Sequence, residues 1–126
     1  MHCNPLGLPR TQGLSRAWQE FEPVAGILHI RQTEAYADWF ESLRDIRAKA
    51  RIDARIRRLS LGSVGDAKAI GGGISELRID YGPGYRVYFT RRGTEIILLL
   101  SGGDKSRQQA DIAKARKLAT NLKDER

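Results

Sequence analysis

Cysteine and histidine are scarce in this chain of 126 residues: Cys3 is the single thiol, and His2 and His29 are the two imidazoles. One cysteine excludes an intramolecular disulfide and a cysteine-held zinc site, which is compatible with a reducing, cytoplasmic setting. Long apolar runs are missing too. The longest, residues 96–100, falls far short of the roughly 20 residues a bilayer-spanning helix needs, so no membrane partner is expected. Residues 1–26 contain Pro5, Pro9 and Pro23 but no apolar h-region, so they are not a secretory signal. They read as a loosely ordered N-terminal extension in which Trp18 and Phe21 follow no clear period. The carboxylates form no ligand cluster at a recognisable spacing, so neither a metal nor another cofactor is expected.

Positive charge is what the chain has in excess. Twenty-two Lys and Arg against 15 Asp and Glu give a formal net charge of +7, which suits a polyanionic partner such as RNA, the ribosome or an acidic protein segment. With 40% apolar residues the chain can build a core, and its length predicts one domain, placed at residues 27–126.

The pattern along that domain predicts its elements. Ile27, Leu28 and Ile30 make a short strand, on which His29 suits a structural role. Thr33 is an N-cap, followed by Glu34 in the first helical turn. Tyr36, Trp39, Phe40, Leu43 and Ile46 fall at helical spacing, and the pattern continues or restarts through Ile52, Ile56 and Leu59 to a glycine stop at Gly62, the two pieces forming an N-terminal antiparallel helical hairpin. Arg44, Arg47, Arg51, Arg55 and Arg58 recur along the same stretch as a basic ridge, either an RNA-facing surface or a merely solvated helix face. Residues 62–73, GSVGDAKAIGGG, read as a loop, and they do not match a phosphate-binding glycine motif.

Two alternating runs follow, 75–81 and 85–92, around Gly82-Pro83-Gly84. Leu77, Ile79, Tyr81, Tyr85, Val87 and Phe89 share the inward face, and Glu76, Arg78, Asp80, Arg86 and Tyr88 the outward one. If Tyr81 faces Tyr85, Ile79 pairs with Val87, Leu77 with Phe89, Arg78 lies beside Tyr88 and Asp80 beside Arg86. Residues 95–100 read as a buried central strand, ending in a turn at 101–106. There Ser106 and Gln109 form a capping box for a last helix with Ile112, Ala115, Ala119 and Leu122 on its apolar stripe and Lys114, Arg116, Lys117 and Lys123 around its polar side. The class is α+β: a small antiparallel sheet, with the helices packed on one face and the other face at least partly open.

An open face bearing Arg78, Arg86 and Tyr88, with Lys105 at its rim, suits a phosphodiester. Arginine's fork matches phosphate oxygens, and a tyrosine can stack on a base or exchange a proton. RNA carries its own nucleophile, the 2′-OH, so cleavage needs a proton acceptor, cations for the developing charge and a donor for the leaving oxygen. Arg78 and Arg86 would hold the phosphorus centre. Tyr88, Lys105, Asp80 and Glu76 are the candidates for proton transfer. The bland alternative is an Arg86–Asp80 pair across the hairpin. Further RNA contacts are assigned to Lys68, Arg51 and Arg58, and to Arg91 and Arg107 flanking the hairpin and the lysine-bearing turn.

GISELRIDYGPGYRVYF (73–89) and LLLSGGDKSRQQADI (98–112) together resemble toxins of bacterial type II toxin–antitoxin modules in the RelE/ParE superfamily, most closely the HigB-like, phage-derived addiction-module killer branch. The resemblance covers residues 27 to 122. It implies a RelE-like α+β endoribonuclease that cuts mRNA in the ribosomal A site and is neutralised by a cognate antitoxin, itself often a DNA-binding repressor, in a hetero-oligomer. It implies phosphate contacts for Arg86, and basic roles for Arg78 and Lys105. The chain departs from relatives in carrying Glu76 and Asp80 where some have lysines, and in lacking a C-terminal histidine or tyrosine over 105–126. The alternatives are a non-catalytic, ParE-like inhibitor of DNA gyrase acting through the helices, and a degenerate module that only binds its antitoxin.

Overall fold

The structure, a computed structural model, describes residues 19–20, 28–93 and 96–124, and of 19–20 and 122–124 the backbone alone. Expectations placed on Cys3, Trp18, Phe21, Ile27 and Glu95, and on the side chains of Leu122 and Lys123, lie outside what it describes. The α+β class holds. Six strands, β1 (Gln19–Glu20), β2 (His29–Gln32), β3 (Ala67–Gly71), β4 (Ile74–Ile79), β5 (Tyr85–Arg92) and β6 (Ile96–Asp104), form one sheet in the order β1-β2-β6-β5-β4-β3. The helices are α1 (Glu34–Ser42), α2 (Ile46–Ser60) and α3 (Gln108–Asp124).

The sheet is mixed rather than antiparallel, because β2 runs parallel to β6 with His29 opposite Ile96 and Gln32 opposite Leu99. Thr33 ties the end of that ladder to α1. Its amide donates to the Leu99 carbonyl at 3.0 Å, its hydroxyl donates to the Leu100 carbonyl at 2.6 Å, and the same oxygen accepts from the Tyr36 amide as the helix cap.

Both sheet faces are covered. Leu77, Ile79, Val87, Phe89, Ile97 and Leu99 pack under Tyr36 of α1 and Ile52, Ile56 and Leu59 of α2. On the opposite face Ile74, Tyr88, Leu98 and Leu100 pack under Ala115, Ile112 and Ala119 of α3. The reading that put all helices on one side is therefore corrected: α3 closes the face expected to stay open. A bulge at Leu100, where Tyr88 opposes Ser101 and Phe89 opposes Leu99, adds one more residue to the α3 face.

Helix ends follow local chemistry. α2 ends in a Schellman arrangement, with Ser63 N–H to Arg58 O at 2.9 Å, Gly62 N–H to Leu59 O at 3.0 Å, and Gly62 at φ 93°. Between residues 42 and 46 the helical pattern restarts rather than continues: α1 ends at Ser42, and Ile46, read as part of the first helix, opens α2. Asp45 caps α2 by accepting from the Arg47 and Ala48 amides, and this leaves Ile46 80% exposed.

Three further expectations are corrected. Residues 67–71 are strand β3 rather than loop; they close the outer edge of the sheet, with Ala67 opposite Leu77 and Lys68 opposite Glu76. The β4–β5 register is two residues off the reading: Ile79 faces Tyr85, Leu77 faces Val87, Arg78 faces Arg86 and Glu76 faces Tyr88. Tyr81 leaves the ladder because it has better partners, donating its hydroxyl to Asp45 at 2.9 Å with Arg51 stacked 4.8 Å over its ring. Residues 101–104 are strand, not turn, and α3 is entered through a 3₁₀ turn, Lys105–Arg107, capped by Asp104 instead of by Ser106. Gly102 and Gly103 are there for close approach: a Cβ on Gly102 would meet the Trp39 ring, and one on Gly103 the Asp111 carboxylate.

Candidate functional site

Alternation on β4 and β5 carries Glu76, Arg78, Arg86 and Tyr88 onto the α3 face, and α3 divides them. Glu76 is 1% exposed and Tyr88 fully buried. Glu76 accepts from the Tyr88 hydroxyl at 3.0 Å, from Gln108 Nε2 of α3 at 2.8 Å and from Arg86 Nη1 at 3.2 Å. A buried carboxylate is tolerated here because three donors replace its water. Burial and the Glu76 carboxylate push the Tyr88 phenol far above its ordinary range. Tyr88 is thereby removed from the surface on which the sequence reading had placed it. Glu76 is removed with it, and neither can touch a substrate in this arrangement.

Arg86 is the member of this network that also reaches a groove on the surface. Its side chain is 12% exposed, and its Nε is buried with no hydrogen-bond partner among the described residues. Arg86 lines an open groove of about 500 Å³ together with Arg78, Asp80, Asp66, Tyr85 and Lys105. The hairpin tip forms one wall. Gly84, at φ 83°, brings it against the start of α3, where a Cβ on Gly84 would lie 3.5 Å from the Lys105 Cβ. The Arg86–Asp80 pair of the bland alternative is not made; Arg86 turns to Glu76 instead.

Arg78 pairs with Asp66 at 2.8 Å, with the two side chains 43% and 53% exposed. An ion pair this exposed contributes little, so an incoming anion displaces it at small cost. Arg55 braces the same corner, donating to the Arg78 and Asp66 carbonyls. Lys105 and Arg107, both exposed, lie on the 3₁₀ turn that leads into α3. Cations at the positive end of a helix repel its dipole, so this corner favours an anion on two counts.

The other candidates are dispersed. Arg51 and Arg58 are exposed on α2, with Arg51 stacked on Tyr81. Lys68 is exposed on β3 and Arg91 at the far end of β5. The structure thus gathers Arg78, Arg86, Lys105 and Asp80 at one groove, and leaves Lys68, Arg51, Arg58 and Arg91 outside it. Sequence reading missed Asp66 and Gln108. Asp66 lay inside the segment taken for a loop, and Gln108 gains its meaning only from the placement of α3. Among the described residues no group of His, Cys, Asp or Glu could hold a metal ion. Among the same residues no helix is long and apolar enough to cross a membrane.

The residues of this groove fall within a stretch shared with other proteins. A family model described as phage-derived protein, Gp49-like (DUF891), matches residues 38–123. A Haemophilus influenzae protein described only as uncharacterized is 47% identical over 95 residues, covering 75% of this chain and 96% of its own length. No solved structure matches. Since the family match runs from within α1 through α2 and the hairpin to the last turn of α3, well over half of the sequence, the chain belongs to the Gp49-like family of phage-derived proteins, a RelE-like toxin family.

Proposed function

We propose that the protein is the toxin of a type II toxin–antitoxin module, of the HigB-like branch, and that it is a metal-independent endoribonuclease cutting mRNA on the ribosome. The domain so proposed is residues 27–126, with a cognate antitoxin as its partner. The observation that carries the reading is the convergence of Arg78, Arg86 and Lys105 on one groove beside the N-terminus of a 17-residue helix. Such an arrangement suits a phosphorus centre gaining negative charge.

In this mechanism the RNA phosphate displaces Asp66 from Arg78 and takes up the remaining donors of Arg86. The 2′ oxygen attacks phosphorus, the bond to the 5′ oxygen breaks, and a 2′,3′-cyclic phosphate is left on the upstream fragment. With Glu76 and Tyr88 buried, Asp80 is the group of the groove placed to accept the 2′ proton, and Lys105 the group placed to protonate the leaving 5′ oxygen.

The test is a pulse-labelling time course after induced expression, wild type beside Arg86→Lys, with primer extension on an abundant mRNA. Early loss of methionine incorporation, with mRNA cuts absent from the variant, is the expected result. Intact mRNA with early loss of thymidine incorporation would sink the nuclease reading in favour of gyrase inhibition. Unaffected growth would reduce the protein to antitoxin binding.

A further inference from the structure

Among the described residues the large apolar side chains left exposed are Ile46, Leu61 and Val64, and they gather at the ends of α2: Ile46 opens the helix, Leu61 closes it and Val64 follows in the loop beyond. The helix between them has a second apolar face. Ala48, Ile52, Ile56 and Leu59 are its buried stripe. At about 100° per residue, Ala50 and Ala54 point away from that stripe, and both are exposed. Ile46, Ala50, Ala54 and Leu61 therefore form an outward seam about 22 Å long. A surface helix ordinarily turns charged and polar residues to solvent on that side.

Charge is distributed unevenly about the seam. Exposed Arg47, Arg51 and Arg58 line one flank. Asp53, the carboxylate of α2, lies on the other, four residues from both Lys49 and Arg57. Asp45 stands at the foot of the basic flank, where it caps the helix and accepts from Tyr81.

This pattern selects its occupant. RNA would use the arginines but gain nothing from an aliphatic seam, since base stacking needs flat aromatic faces. A second copy would bring one basic flank against another, at a net charge of +7 per chain. A helix with its own apolar stripe and a carboxylate-rich flank meets both halves of the pattern. Small Ala50 and Ala54 let it approach closely, and Arg47, Arg51 and Arg58 fix its register.

We propose that the outward seam of α2 is the docking surface for an acidic amphipathic helix of a partner protein. With the antitoxin as that partner, the inference rests on the toxin reading and adds to it where, and by what chemistry, the two chains join. Arg55, which braces the phosphate groove, leaves α2 on another side from the seam, so the partner and the RNA use different surfaces.

The test takes as probe the protein encoded by the adjoining gene, since a toxin–antitoxin module encodes its two partners side by side. Its affinity for the full chain is measured by titration calorimetry, wild type beside the Ala50→Glu, Ala54→Glu double variant, with Arg91→Gln at the far end of β5 as control. Glutamate at the two exposed alanines keeps a good helix former while placing bulk and negative charge in the seam. Binding should weaken by about 30-fold or more in the double variant and stay unchanged in the control. Induced with its neighbour, the double variant should arrest growth where wild type is neutralised. Should it melt early, Arg47→Glu, Arg58→Glu, both at exposed positions, carries the same expectation. Equal affinity of wild type and seam variants would overturn the inference, and a parallel loss of 2′-O-methyl oligouridylate binding would then hand the face to RNA. Failure of wild type to bind the adjoining protein would instead bring down the toxin–antitoxin reading, and this inference with it.

Discussion

Glu76 stands across the β4–β5 ladder from Tyr88 and accepts that residue's hydroxyl at 3.0 Å. The two are the buried half of a four-residue network whose other members are Gln108 and Arg86, and of the four Arg86 alone also lines the open groove. The arginine assigned to the phosphate is thus held from behind by a carboxylate that substrate never meets.

Removing the holder should be costly. Glu76→Ala leaves Arg86 without its anion and Tyr88 without its acceptor, and breaking a buried pair from one side costs about 3–5 kcal/mol. Arg86 keeps some solvent access, so the lower end is expected. Urea denaturation measures it, and a loss below about 1 kcal/mol would mean that the pair behaves like a surface one.

Arg86 itself calls for a conservative replacement. Arg86→Ala strips Glu76 of its cation and threatens the fold, so its inactivity would say little. Arg86→Lys keeps the charge beside Glu76 but gives up the planar fork that matches phosphate. It should melt near the wild type yet lose mRNA cleavage by at least about 100-fold. Retained cleavage would remove Arg86 from the mechanism.

Alkaline pH should unfold the protein through its tyrosines. Burial pushes up the phenol of Tyr36, with the Asp53 charge adding to it, and burial together with Glu76 pushes up that of Tyr88. Unfolded phenols ionise near pH 10 while these two stay protonated in the fold. Their contribution is therefore fully present below that pH and is lost as pH rises above it. The slope is about 1.4 kcal/mol per pH unit for each tyrosine. Chemical denaturation above pH 10 should give a shallower decline for Tyr88→Phe than for wild type.

Gly102 and Gly103 should not accept a methyl group. Gly102→Ala drives a Cβ into the Trp39 ring, on the face covered by α1, and Gly103→Ala drives one into Asp111 on the face covered by α3. Overpacking of this kind costs about 1–3 kcal/mol. Asp111 is the more yielding neighbour, since it is met at the free end of a short side chain whereas Trp39 is met at its ring carbons, so Gly102→Ala should show the larger drop in melting temperature.

Those two glycines also mark where sequence reading stops. A glycine pair after an apolar run is ordinary turn chemistry, and its use as a landing for Trp39 and Asp111 depends on residues distant in sequence. The Thr33 cap and the Gly62 stop were legible because they are local. So was the division of the β4 and β5 residues between two faces, which depends only on alternation. Register was not: alternation fixes it modulo two, and Tyr81 was drawn out of the ladder by Asp45 and Arg51. Of the candidate site, Arg78, Arg86 and Lys105 were found because cations at a strand and its turn are visible one by one. That α3 would bury Tyr88 was not, because a helix's apolar stripe does not say which side of a sheet it will cover.

The parallel pairing of β2 with β6 has a consequence for how the molecule comes into being. Thr33 is anchored to Leu100, 67 residues further along the chain. The central strand therefore leaves the ribosome after both strands it pairs with, β2 and β5, and contacts so distant in sequence form late. A polypeptide halted before Ile96 has neither of its two cores complete, and it lacks Lys105 together with α3. The groove that Arg78 and Arg86 share with Lys105 is thus completed only after the last strand has been made.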